Sequence, residues 1–201
     1  KVFAFHRDLE CLTACSESFS LQLADTHQFQ FLFRKIRPDL VIHCAGLTNV
    51  DRCEKDPELA FEANINVIEN IARSCPAETK LVYLSTDQVY GETADYSEDN
   101  DGLYPVNQYG NTKLQGEKKV QELCSDYIVV RTNIFGWNIK PGRISSSEWI
   151  YNSPKKSEEI TLFTDYTFSP VYTEYLGDII MHLVDEDFTG VINAGSPTPC
   201  S

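Results

Sequence analysis

Tyr109 and Lys113 stand four residues apart in the run Tyr-Gly-Asn-Thr-Lys. That spacing puts a phenol and an ammonium on one helix face, about one 5.4 Å turn apart. A phenol titrates near about pH 10 and is a poor acid or base at neutrality; a nearby cation favours its phenolate and brings it toward a working range. The pattern alone carries little, because a chain with ten tyrosines meets it by chance, and Tyr151 with Lys155 is a second instance. Pro154 lies inside that second pair and works against a regular helical turn there. Tyr109 instead follows Leu84-Ser85-Thr86-Asp87 by about twenty residues, and that run ends an apolar stretch where open α/β sheets bind ligands. There Thr86 would polarise a carbonyl beside the tyrosine. Apart, Tyr109 is an amphipathic helix residue and Thr86 a strand terminator; together they read as proton-transfer chemistry.

Such side chains need parallel strands and covering helices to hold them. Nearly continuous apolar runs at Lys1 to Phe5, Leu40 to Ala45, Leu81 to Ser85 and Tyr127 to Val130 read as buried parallel strands, with a last strand at Val191 to Ala194. Helical periodicity fills the intervals. His27 to Arg37 carries Phe29, Leu32, Phe33 and Ile36 on one face and stops at Pro38. From Pro57 to Cys75, the positions Ala60, Ala63, Val67, Ile68, Ile71 and Ala72 form one stripe. Further helices are predicted over 107–124 and 173–184. The alternation predicts an α/β fold, a Rossmann-like doubly wound parallel sheet. Residues 1–131 would form the dinucleotide-binding core, and 132–201 a mixed segment adding a small C-terminal substrate lobe and the last core strand.

A dinucleotide fold opens with a strand and a G-x-G-x-x-G turn whose bare backbone meets the pyrophosphate at a helix N-terminus. This sequence has no such turn. Its opening strand leads into His6-Arg7-Asp8, which suits the second strand of the fold, where Arg7 would meet the 2′-phosphate of NADP. The chain therefore reads as beginning one βα unit late, without the first strand and the glycine-rich turn. The first strand is central in the 3-2-1 order, so a sheet starting at Lys1 would leave backbone groups unpaired in its middle. The competing reading is a protein that has lost the turn and binds no dinucleotide. The strand that starts at Leu40 ends in the small residues Cys44, Ala45 and Gly46, with Thr48 beyond, a place where a cofactor can approach the backbone closely. Asn64, inside the second helix, is either bonded to neighbouring backbone or solvated.

The chain has 201 residues, 42% of them hydrophobic, enough for one globular domain with a small appendage. Its 17 basic against 30 acidic residues give a net charge of -13, which disfavours nucleic acid and anionic membrane as partners. Seven cysteines without a disulfide-like pattern point to a reducing, cytoplasmic compartment. Cys11 and Cys15 are close but lack a second pair, so no metal site is expected. Neither a secretory signal nor a membrane span is visible.

Several runs together carry a resemblance: Ile36 to Gly46, Val50-Asp-Arg-Cys-Glu54, Leu84-Ser-Thr-Asp-Gln-Val-Tyr90, Asn107 to Glu117 and Val130-Arg-Thr132. Over nearly its whole length the chain resembles the extended short-chain dehydrogenase/reductases, most of all the dTDP-4-dehydrorhamnose reductase branch. The resemblance implies Thr86, Tyr109 and Lys113 as a catalytic triad, with NADPH or NADH as hydride donor; Arg7 tips the expectation toward NADP(H) over NAD(H). It implies cofactor contacts at Cys44, Ala45, Gly46, Thr48 and Asn64, with Gln22 and Leu23 on the adenine side, although Gln22 replaces the family's usual Asp. Thr86, Asp87 and Gln88, with Thr132, Asn133 and Trp137, would face the substrate. Dehydratase relatives carry Asp-Glu after the threonine; here Asp87-Gln88 stands instead, and a neutral amide cannot act as that base. Gln88 also replaces a Tyr common in the rhamnose branch, and no Trp follows Arg131-Thr132. The implied activity is reduction of a nucleotide-linked 4-keto-6-deoxy sugar, with a homodimer left open. The rival readings are a nucleotide-sugar epimerase and a non-catalytic regulatory subunit like that of methionine adenosyltransferase.

Overall fold

The computed structural model describes residues 1–6, 15, 17–20, 25–91, 96–98, 102–138, 144–156, 159–161 and 167–200. Every strand pairing inside its sheets is parallel. Strands β1 (Phe3–His6) and β2 (Glu17–Ser20) form a two-stranded sheet. A five-stranded sheet contains β3 (Leu40–His43), β4 (Lys80–Leu84), β5 (Tyr127–Phe135), β6 (Pro170–Tyr172) and β7 (Gly190–Ala194). Its order is β3-β4-β5, with β7 along Ile128–Thr132 of β5 and β6 along Asn133–Phe135. Among the described residues no strand pairing joins β1 or β2 to the five-stranded sheet. The outer edge of β3 has no strand partner among the described residues, and Ile42 on it is 42% exposed.

Helices cover both faces. On one lie α1 (Thr26–Ile36), α4 (Val67–Ser74) and α5 (Gln108–Leu123). Phe29, Phe33, Ile68, Ile71 and Val120 pack there against Leu81, Tyr83 and Val129. The other face buries Val82, Ile128 and Val130 against Leu176 and Ile180 of α7 (Thr173–Asp185). Alternate residues of β4 thus serve opposite cores, as a strand buried on both faces requires. Phe5 of β1 and Phe19 of β2, with ring centres 5.7 Å apart, join the first core.

Helix starts follow capping chemistry. Asp25 caps α1, Asn49 caps α2 (Val50–Lys55), and Asp56 with Pro57 opens α3 (Pro57–Phe61). The helix expected over 57–75 is interrupted: a π-helical turn over Glu62–Asn66 joins α3 to α4. Its wider winding turns Asn64 and Ile65 into the core, each 2% exposed, and leaves Ala63, expected on the buried stripe, at the margin. The sequence did not reveal α2, β2, β6 or α6 (Ser146–Asn152). Strand β5 continues through Thr132 to Phe135, and β6 and β7 pair with it in the same sheet. No described helix is long and apolar enough to cross a membrane.

Candidate active site

At the carboxyl end of β4, the Ser85 amide donates to the Val130 carbonyl at 2.7 Å and carries the chain past β5. Thr86, 4% exposed, then caps a 3-10 turn over Asp87–Val89, its Oγ1 accepting from the Gln88 amide at 3.2 Å. The first turn of α5 is locked onto this turn. Asn107 caps α5 by accepting from the Gly110 amide at 2.7 Å, and its Nδ2 donates to Gln88 Oε1 at 2.8 Å. A Cβ at Gly110 would lie 2.2 Å from the Gln88 carbonyl oxygen, so only glycine allows the approach. The clamp sets Tyr109 beside Thr86, whose hydroxyl acts on the phenol.

Burial pushes the Tyr109 phenol up to about 12; the nearby Thr86 hydroxyl opposes the rise, and Asp87 and Cys53 add to it. Lys113 does not counter it, contrary to the role its spacing suggested. Its ammonium lies 4.1 Å from the centre of the Tyr83 ring, and burial pulls it down to about 8 against the attraction of Glu117. Tyr151 and Lys155 do make the direct contact, with Lys155 Nζ 3.5 Å from the Tyr151 ring centre and the phenol lowered by it. Both are exposed, on α6 and the turn beyond.

The other predicted residues fall into three groups. Asp87 accepts from Thr86 Oγ1 at 3.1 Å and from Asn133 Nδ2 at 2.9 Å, tying the ends of β4 and β5 together. Thr132 is buried, with an Oγ1 that has no hydrogen-bond partner among the described residues. Gln88 is occupied in the α5 clamp, and Trp137 packs on Tyr151 of α6, ring centres 5.6 Å apart.

Beyond β3, Cys44, Gly46 and Thr48 are exposed and Ala45 half-buried, beside Lys113, which interacts electrostatically with Cys44. Asn64 fixes this loop: its Oδ1 accepts from the Leu47 amide at 2.7 Å, while Nδ2 donates to the Leu47 carbonyl at 3.1 Å and Thr112 Oγ1 at 3.0 Å. A Cβ on Gly46 would come within 2.8 Å of that Oδ1. Small open residues at a parallel strand's carboxyl end, with a buried cation alongside, fit the ribose and nicotinamide half of a dinucleotide. Arg7, Gln22 and Leu23 lie outside the described residues.

Sequence reasoning gave no role to Tyr83 or Glu117, which surround Lys113. Glu117 was visible as an acid one turn beyond the lysine, and only its burial, at 1% exposure, separates it from a solvated helix charge.

Over residues 3–195 the chain matches the model of the RmlD substrate binding domain family. It is 31% identical over 153 residues to the dTDP-4-dehydrorhamnose reductase of Salmonella typhimurium, covering 75% of this chain and 50% of that enzyme. It is 25% identical over 165 residues to methionine adenosyltransferase 2 subunit beta of Danio rerio, covering 81% of this chain and half (50%) of that protein. Among solved structures, the dTDP-4-dehydrorhamnose reductase of Bacillus anthracis in complex with NADP superposes with a TM-score of 0.83 at 29% identity, over 100% of this chain and 75% of that one. The chain thus spans between half and three quarters of the length of these relatives. With a parallel α/β sheet, a threonine at a strand end and a tyrosine clamped beside it, the chain belongs to the RmlD substrate binding domain family of Rossmann-like extended short-chain dehydrogenase/reductases.

Proposed function

We propose that the protein is an NADPH-dependent reductase of a nucleotide-linked 4-keto-6-deoxy sugar. The observation that carries the reading is the meeting of Thr86 and Tyr109 over the carboxyl end of the sheet, with the phenol raised to about 12. A phenol in that range is protonated throughout the neutral region and acts as an acid. The nicotinamide supplies hydride to the keto carbon when bound. Thr86 Oγ1 turns its proton from Asp87 to the carbonyl oxygen, and Tyr109 gives its proton to the same oxygen as negative charge develops there. Lys113, beside the small residues after β3, binds a ribose hydroxyl. Asp87, bonded to Thr86, and Asn133, bonded in turn to Asp87, take sugar hydroxyls. The preference for NADPH draws on the NADP complex of the Bacillus anthracis relative and on the expectation for Arg7.

The test is NADPH oxidation with a dTDP-4-keto-6-deoxy sugar, followed by absorbance, beside an NADPH titration followed by fluorescence. Tyr109→Phe is expected to lower turnover by about three orders of magnitude, since it removes the proton donor, and to leave NADPH affinity within about twofold. Turnover retained in that variant would remove Tyr109 from the chemistry. A second reading, a non-catalytic regulatory subunit, draws on the similarity to the Danio rerio subunit. It predicts a stable complex with a methionine adenosyltransferase and no NADPH oxidation.

A further inference from the structure

Tyr109, Lys113 and Glu117 follow one another at four-residue steps along α5 and share one of its faces. Glu117 is held by two side chains. Arg131 donates Nε to both carboxylate oxygens at 3.2 Å and Nη2 to Oε2 at 2.8 Å, and Ser85 Oγ donates to Oε1. The side chains of this pair are 0% and 1% exposed. Lys113, itself 6% exposed, has no carboxylate within ion-pair distance among the described residues. The titratable groups facing it are Tyr109 and Glu117 on its own helix, Tyr83 on β4, His43 on β3 and Cys44 just beyond β3. At neutral pH the imidazole, thiol and phenols are uncharged, so among the described residues of this shell Glu117 supplies the negative charge.

We propose that Glu117 is the positioning residue that keeps Lys113 an ammonium at neutral pH, acting along α5 while Arg131 and Ser85 fix its carboxylate. The proposal deepens the reductase reading, because Lys113 must stay charged to hold the ribose in that reading. Desolvation alone drives a buried lysine toward its neutral form, and a nearby carboxylate opposes that drive. The arrangement sets a chain of alternating charge, Arg131 to Glu117 to Lys113, that ends at the site.

The test is an NMR titration of the lysine 13Cε and 15Nζ resonances in the full chain without cofactor, with the Lys113→Arg variant identifying the Lys113 signal. The wild-type midpoint is expected near about 8. In Glu117→Gln it is expected at least about one pH unit lower, a tenfold smaller ratio of charged to neutral lysine. Because that variant strands Arg131, the double variant Glu117→Gln/Arg131→Met is titrated alongside; replacing both members of a buried pair by neutral groups is often tolerated. A folded variant whose Lys113 midpoint stays within about 0.3 units of wild type would overturn the proposal, since a carboxylate this near should move it by more. If Glu117 served only to brace Arg131, the melting temperature would fall and the Lys113 midpoint would not move. The titration needs no turnover, so a failure to oxidise NADPH would count against the reductase reading and leave this outcome separate.

Discussion

The His43 imidazole stacks 5.8 Å from the Tyr83 ring centre and is 5% exposed, and its Nε2 has no hydrogen-bond partner among the described residues. Burial, reinforced by Lys113, takes it from 6.5 to about 3. Folded His43 is therefore neutral where unfolded His43 binds a proton, so the stability tied to it is present above 6.5 and is lost as pH falls toward about 3. Between about pH 6.5 and 5 the loss should reach ~2 kcal/mol. Melting temperatures measured over that range should decline in the wild type and flatten in His43→Phe; equal slopes would place the acid sensitivity elsewhere. Lys113 has the same sign in a higher window. Above about 8 the folded lysine is neutral while the unfolded one stays charged up to 10.5, so the cost of burying the ammonium relaxes as pH rises. Under the proposed function, NADPH affinity should weaken above about pH 8 while the melting temperature does not drop in parallel. Parallel curves would mean that global unfolding, not Lys113, limits binding.

The join between the 3-10 turn and α5 depends on a missing side chain. Alanine at position 110 should favour the helix by ~1 kcal/mol on propensity alone, yet its Cβ would meet a backbone oxygen that cannot rotate away. Gly110→Ala is expected to destabilise by about 1–3 kcal/mol and to part Thr86 from Tyr109, read by chemical denaturation and by loss of turnover. An unchanged midpoint would show that the turn can yield. This junction was half legible in the sequence. A strand ending in Ser-Thr-Asp and a helix carrying Tyr and Lys could be paired by eye, because buried parallel strands leave long apolar runs and helices leave a stripe. The hidden parts depend on distant partners. Glu117 is buried only because Arg131 comes to it from β5, and Asn64 turns inward only because of the π-helical winding. Glu17-Ser-Phe-Ser20 has one apolar side chain for the core to hold, so β2 left no sequence pattern.

Across the molecule, order is expected to fall from the middle of the larger sheet toward its β3 side. Strand β5 is paired along both edges, whereas among the described residues β3 has β4 alone as its partner and β1 has β2 alone. Hydrogen exchange followed by mass spectrometry should show amides of Ile128–Val130 protected to the level of global unfolding, and those of Leu40–His43 opening sooner. Uniform protection would mean that the two sheets unfold as one unit. The same geometry ties the site to the last strand. Residues 96–98, between β4 and α5, are fixed to Asn193 on β7: Tyr90 and the Tyr96 carbonyl bond its side chain, Glu98 takes its amide, and Arg131 reaches the Ser97 carbonyl. A ribosome adding roughly 5–20 residues per second delivers Asn193 on the order of ten seconds after Tyr109. The emerging chain therefore carries Tyr109 well before Asn193 can fix residues 96–98, and during synthesis this part of the fold comes of age from its far end.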